Sequence, residues 1–174
     1  TIATQQTRAA IALRTAGVTF AARLAFEDVH HAYGDLPTLR GVTLAAEPGE
    51  VLCLLGPSGS GKTTLLRLAA GIEPLERGRL LLNDREIAGP QTNLPPERRG
   101  IGLMFQDFAL FPHLTILDNV KFGLTALSSA DAKREALAAL DRVGVVHYAE
   151  NYPHALSGGE QQRVELARAL APRP

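Results

Sequence analysis

Cysteine is nearly absent. Cys53 is the only one in 174 residues, so no disulfide can form within the chain and a reducing compartment is the default. An excess of charge of one sign is missing too. Eighteen basic residues stand against eighteen acidic ones, a balance that gives no electrostatic case for DNA or RNA as the main partner. No apolar run approaches the roughly 20 residues that a membrane-spanning helix needs, so the chain is not expected to cross a bilayer by itself. Internal repeats and low-complexity tracts are also lacking. His30 and His31 are adjacent, which puts them on opposite faces of a strand, and His113, His147 and His154 show no ligand spacing. The histidines therefore suggest no metal site.

What is present is ordinary for one globular domain: 45% hydrophobic and 21% charged residues. Residues 1–23 carry Arg8, Arg14 and Arg23 and no acidic residue. That composition fits a transit peptide but lacks a secretory pattern, and the plainer reading is a leftover of an upstream segment or a misplaced start, outside the fold.

From Leu24 onward the pattern alternates between strands and turns. Residues 24–33 and 39–46 read as strands around the 34–37 turn cluster. Glu50 to Leu55 and Gly100 to Phe105 are short apolar runs of the kind buried on both faces in a parallel sheet. Residues 78–82 and 86–88 flank an Asn83-Asp84 turn, and 91–99 is a polar loop. Helices are expected over 65–70, 115–125, 129–143 and 157–170, the third opened by Ser128 with Asp131 and stopped by Gly144. In this reading Cys53 is a small buried strand residue rather than a reactive thiol. The order implies an α/β core with a helical block between Asp107 and about Leu156.

The first motif with chemistry is Gly56-Pro57-Ser58-Gly59-Ser60-Gly61-Lys62-Thr63, a full match to G-x-x-x-x-G-K-[ST] between an expected strand and an expected helix. Glycines let consecutive backbone N–H groups turn inward around an anion. The helix start after Gly61, continuing through Thr64, adds positive dipole at the phosphates. Lys62 can reach the β- and γ-phosphates, and Thr63 can place a hydroxyl on Mg²⁺. This loop points to a nucleoside triphosphate without saying which machine uses it.

A second motif narrows the choice. Leu156-Ser157-Gly158-Gly159-Glu160-Gln161-Gln162-Arg163 runs into Leu166-Ala167-Arg168-Ala169-Leu170, about a hundred residues after the first. It is another helix N-terminus presented by a serine and two glycines, a second anion site by the same dipole argument. At these residues the chain closely resembles the ABC ATPase family, and the resemblance runs from about Leu24 to Pro174. It implies a P-loop NTPase core, with a parallel sheet, an antiparallel β subdomain and a helical insertion, incomplete at its C-terminus. The expected division is 24–106 for the β and P-loop core, 107–156 for the Q-loop and helical subdomain, and 157–174 for the signature helix.

The family pattern also assigns roles. ATP and Mg²⁺ are the implied ligands. Ser157, Gly158, Gly159 and Glu160 would close over the ATP held by a second subunit, either an identical copy or a paired ABC subunit. Glu160 stands where glutamine is commoner in the family, and it is expected to point away from the nucleotide. Tyr33 falls where the family places an adenine-stacking aromatic. Gln106, after Phe105 and before Phe111-Pro112-His113, falls at the Q-loop glutamine, which touches Mg²⁺ and the attacking water. A strand-end tyrosine and a solvated loop glutamine are the plainer alternatives.

In the family a strand ending in Asp-Glu and a later switch histidine follow the signature helix, whereas this sequence stops at Pro174. The expectation is that the 174-residue piece leaves an apolar face uncovered, is poorly stable alone, and binds ATP with turnover near background. The wording around Leu94-Pro95-Pro96-Glu97-Arg98-Arg99 and Ala109 to Thr115 resembles importer subunits for ferric iron, polyamines, sulfate, thiamine and sugars, with ferric iron the first choice. Such a subunit would sit on the cytoplasmic face of a bacterial inner membrane, docked on a permease through the Q-loop and helical subdomain, and served indirectly by a periplasmic solute-binding protein. An exporter ATPase, or a soluble ABC protein of DNA repair or translation, stays open.

Overall fold

Asn83 and Asp84 both adopt positive φ, 51° and 62°, the backbone of a two-residue hairpin turn whose twist matches the strands it joins. It is one of two tight hairpins that build the sheet in this computed structural model, which describes residues 21–107 and 109–173. Strand β1 (Leu24–Tyr33) turns through Gly34 and Asp35 into β2 (Leu36–Ala46), and β3 (Arg77–Leu82) turns through Asn83 and Asp84 into β4 (Arg85–Ala88). All pairings are antiparallel, in the order β2-β1-β3-β4. β1 bulges near Asp28, whose φ is 47°. Gly78 crosses this bulge at φ 102°, where a Cβ would stand 2.5 Å from the Asp28 carbonyl oxygen; only glycine fits.

Helix α1 (Lys62–Ala70) packs under the sheet. Phe26, Val29, Leu39, Leu65, Leu68, Leu80 and Ile87 form one apolar core, each large side chain contributing about 1.5–3 kcal/mol by leaving water. A second core lies between α2 (Ile116–Lys121), α3 (Ser129–Arg142) and α4 (Gly158–Leu170), with Ile116, Val120, Leu140, Val145 and Val164 at its centre. Thr115 caps α2 and Ser128 caps α3, each accepting from the N–H three residues on. Gly144, at φ 73°, follows the end of α3.

Several expectations are corrected. Residues 50–55 and 100–105 are not buried strands, and no parallel ladder forms among the described residues. They lack ladder partners, and most of their side chains face solvent, Val51 at 88% and Leu55 at 93% exposed, while Leu54 and Ile101 pack half-buried against the sheet core. An apolar run becomes a strand only when a neighbour satisfies its backbone. Cys53, on the same segment, is exposed rather than buried. α2 stops at Lys121, short of the expected Thr125, with Phe122 as its C-cap and Gly123 next. Of the segment set aside at the N-terminus, residues 1–20 lie outside the described residues. Arg23 is bonded into the sheet, its side chain donating to Glu47 and Asp84 at 3.0 Å each.

Candidate functional site

The segment 50–55 delivers the chain to Gly56, and α1 leaves at Lys62. Between them Gly61 turns at φ 86° as the N-cap of α1, with no side chain capping the helix and no acidic residue in its first turn. The leading N–H groups of α1 therefore carry the helix's positive end without an internal anion. Gly61 is fixed by space as well as by φ, since a Cβ there would meet Leu39 Cδ2 at 2.6 Å and the Thr38 carbonyl oxygen at 2.9 Å.

Lys62 Nζ folds back over the loop. It donates to the carbonyls of Gly56 at 2.8 Å and Pro57 at 2.7 Å, and to Ser60 Oγ at 3.1 Å. The ammonium is thus held at the mouth of the loop by three oxygens, the number of donors it has. A phosphate oxygen arriving there would replace one of them.

A cavity of about 460 Å³ opens in front of the loop. Its walls are Ser58 to Thr64, then Tyr33, Leu36 and Thr38 from the β1–β2 hairpin, and Gln106 from beyond the 100–105 segment. Tyr33 and Gln106, 73 residues apart in sequence, share one wall system with the glycine-rich loop. Tyr33 is half-exposed, donates its hydroxyl to Glu73 Oε1 at 3.2 Å, and packs edge-on against the buried His31 ring at 4.8 Å. The pin on Glu73 fixes the ring while leaving part of it open to the cavity.

Ser157, Gly158, Gly159 and Glu160 are not among the residues lining that cavity. They form the exposed start of α4. Glu160 closes a capping box: its Oε2 accepts from the Ser157 N–H and from Ser157 Oγ, both at 2.7 Å, and its Oε1 accepts from the Tyr148 hydroxyl at 2.7 Å. The Ser157 and Tyr148 hydroxyls, with the Ser157 N–H, hold the Glu160 carboxyl down to about 2, and the same bond raises the Tyr148 phenol. The carboxylate is committed to its own helix start.

Three other polar residues of this region were not predicted as site residues. Asn119, fully buried on α2, accepts from the Phe111 N–H at 2.8 Å and donates to the carbonyls of Phe111, Leu114 and Thr115, which shapes the 111–115 loop. Arg168 on α4 donates to the Ala109 carbonyl at 2.8 Å and lies 5.6 Å from the Phe111 ring centre. Arg99, 2% exposed, donates to the Leu68 and Ala69 carbonyls at the end of α1 and to Leu94 and Asn93 in its own loop. Burial lowers its pKa. Arg168 between apolar neighbours was the one local signal, and it names no partner; Asn119 and Arg99 stand next to charged residues and gave none.

The family model described as ABC transporter matches residues 39–174. A Salmonella typhimurium ATP-binding protein named for 2-aminoethylphosphonate import is 47% identical over 153 residues, covering 87% of this chain and 40% of that protein. The spermidine/putrescine import ATP-binding protein PotA of Nitrosomonas europaea is 44% identical over 155 residues, covering 88% of this chain and 42% of that protein. This chain therefore spans well under half the length of these relatives. Among solved structures, the dimeric post-hydrolysis state of the ATP-binding cassette MJ0796 with ADP and Pi superposes with a TM-score of 0.77 at 32% identity, covering 87% of this chain and 70% of that one.

Proposed function

The chain belongs to the ABC transporter family, and from that premise we propose that it is the nucleotide-gripping part of an importer's ATPase subunit. The observation that carries the reading is the single cavity shared by Tyr33, the 58–64 loop and helix start, and Gln106. In this reading the main-chain N–H groups of Ser58 to Thr64 wrap the triphosphate, and Lys62 exchanges a loop carbonyl for a phosphate oxygen. Tyr33 supports the adenine by stacking.

The Thr63 hydroxyl and the Gln106 side-chain carbonyl are hard oxygen donors, the type Mg²⁺ prefers, and both line the cavity. They fit the role of metal ligands. The ion would supply neutralisation of phosphate charge. The residues of this chain bind, orient and shield; Gln106 also reaches the attacking water.

Ser157, Gly158 and Gly159 act in trans. They stand off the cavity of their own chain, and a second copy, or a paired ABC subunit, turned head to tail would bring them over it. The dimeric cassette among the structural neighbours supports the pairing of two such subunits. The proposed division is 24–106, 107–156 and 157–174, with the middle unit docking on a membrane permease at the cytoplasmic face of a bacterial inner membrane. The attachment in this reading is peripheral; no helix among the described residues is long and apolar enough to cross a membrane. The names of the relatives favour an organic nitrogen-bearing solute, an aminophosphonate or a polyamine, over the ferric iron suggested by sequence wording; sulfate, thiamine and sugars are further members of that group, and a periplasmic binding protein would deliver the solute.

Photolabelling with an azido-adenine ATP analogue tests the site. The label is expected in the peptide containing Tyr33, and label confined to other peptides would contradict the reading. Co-purification of the intact protein with a membrane permease from detergent extracts separates the importer from a soluble ABC protein.

A further inference from the structure

Glu165 lies on the second turn of α4, seven residues past Gly158, and is 1% exposed. Its Oε1 accepts a hydrogen bond from the Phe105 N–H at 2.6 Å, across 60 residues of sequence. Its Oε2 is buried without a donor. Carboxylates are rarely buried unless paired, because the charge loses its hydration. One charge-assisted bond to a backbone N–H recovers part of that loss, and such bonds are short and strong. Here the bond falls on the residue immediately before Gln106.

Three residues further along the helix, on the same face, Arg168 donates to the Ala109 carbonyl at 2.8 Å and covers the Phe111 ring. α4 therefore holds the segment carrying Gln106 on both sides, by an acid at its entry and a base at its exit. Gln106 itself is exposed and reaches the cavity.

We propose that Glu165 is a positioning residue for Gln106, tethering it to the helix whose first turn is the Ser157-Gly158-Gly159 motif. A shift of α4 then moves Gln106, and a shift of Gln106 is felt at the motif, through direct bonds to α4 of which the Glu165 bond lies next to Gln106. Glu165 touches no nucleotide. This inference rests on the reading of Gln106 as a nucleotide-contacting residue.

The test uses the intact protein, wild type, Glu165→Ala and Glu165→Gln, with three readouts: amide exchange at Phe105, affinity for ATP with Mg²⁺, and turnover at saturating ATP. In wild type the Phe105 amide is expected to be protected from exchange. Glu165→Ala is expected to lose that protection and about tenfold or more in turnover, since small misplacements of a catalytic group are costly. Its ATP affinity should stay within about twofold, because the phosphate loop keeps its contacts. Glu165→Gln retains an acceptor for the Phe105 N–H and should keep both protection and most of the turnover.

A merely structural contact would lower stability and ATP affinity together without a selective change at Phe105, and that result overturns the proposal. So does a wild-type Phe105 amide that exchanges as freely as an unprotected one, a readout that stands even if Glu165→Ala does not fold. If wild type binds and turns over ATP and Glu165→Ala does the same, the tether alone is overturned. A wild type that binds no ATP overturns the reading beneath it as well.

Discussion

Gly61 carries two demands at once, a left-handed backbone and an empty Cβ position against Leu39 and Thr38. Gly61→Ala is therefore expected to cost about 1–3 kcal/mol from φ alone, with the contact added, and to disturb the first turn of α1. Chemical denaturation of the intact protein checks it; an unchanged midpoint would show that the turn relaxes freely. Arg99 is the second residue with a definite expectation. It satisfies four acceptors in and near the end of α1. Arg99→Ala removes all four bonds, two of them buried, and leaves the Leu68 carbonyl only the Gly71 N–H, for an expected loss of about 1–3 kcal/mol, read as a lowered melting temperature. The two residues differ in legibility. Gly61 belongs to a contiguous motif whose spacing states its chemistry. Arg99 is one arginine of a pair in a polar loop, and nothing in the letters separates the buried Arg99 from the exposed Arg98. Tyr33 and Gln106 fall between these cases: the sequence nominates them, but only the fold brings them to one cavity.

At the scale of elements, the start of α4 depends on a titratable cap. Ionised Glu160 accepts from Ser157 and Tyr148 through both oxygens, and a proton on either oxygen turns that oxygen from acceptor to donor and weakens the set. Its carboxyl is held down to about 2, so its contribution is complete above the ordinary carboxylate range and is lost as pH falls through that range towards about 2. Wild type should lose stability over this window faster than Glu160→Gln, whose amide does not titrate. Melting curves of both proteins taken downward from neutral pH measure the difference, and parallel curves would count against the cap. Helices α3 and α4 and the hairpin strands were legible because their caps and turns are local: Ser128, Ser157, Gly144 and Asn83-Asp84 act within a few residues. The segments 50–55 and 100–105 were misread as buried strands for the opposite reason. Apolar letters report a preference for burial, while a strand requires a hydrogen-bonding partner that local sequence does not specify.

At the scale of the molecule, two apolar cores divide the chain, one under the sheet and one among the helices. The phosphate loop belongs with the first, and the Ser157-Gly158-Gly159 turn belongs with the second. Ser157, Gly158 and Gly159 are not among the residues lining the cavity in front of the 56–63 loop. Closure of a second copy over the first predicts a specific proximity. With exposed Cys53 replaced by serine, the pair Ser58→Cys and Gly159→Cys should form an inter-chain disulfide in the presence of ATP, and much less without it. An intra-chain bond instead, or cross-linking indifferent to nucleotide, would refute the head-to-tail arrangement.

The central claim is that main-chain amides from Ser58 to Thr64, together with the Lys62 ammonium, hold a triphosphate. Equilibrium titration of the intact protein with labelled ATP and Mg²⁺ tests it most directly, with Lys62→Ala titrated alongside. Saturable binding by wild type, weakened about tenfold or more in Lys62→Ala, is the predicted result. No saturable binding by a folded wild type, or equal affinity in the two proteins, would contradict it.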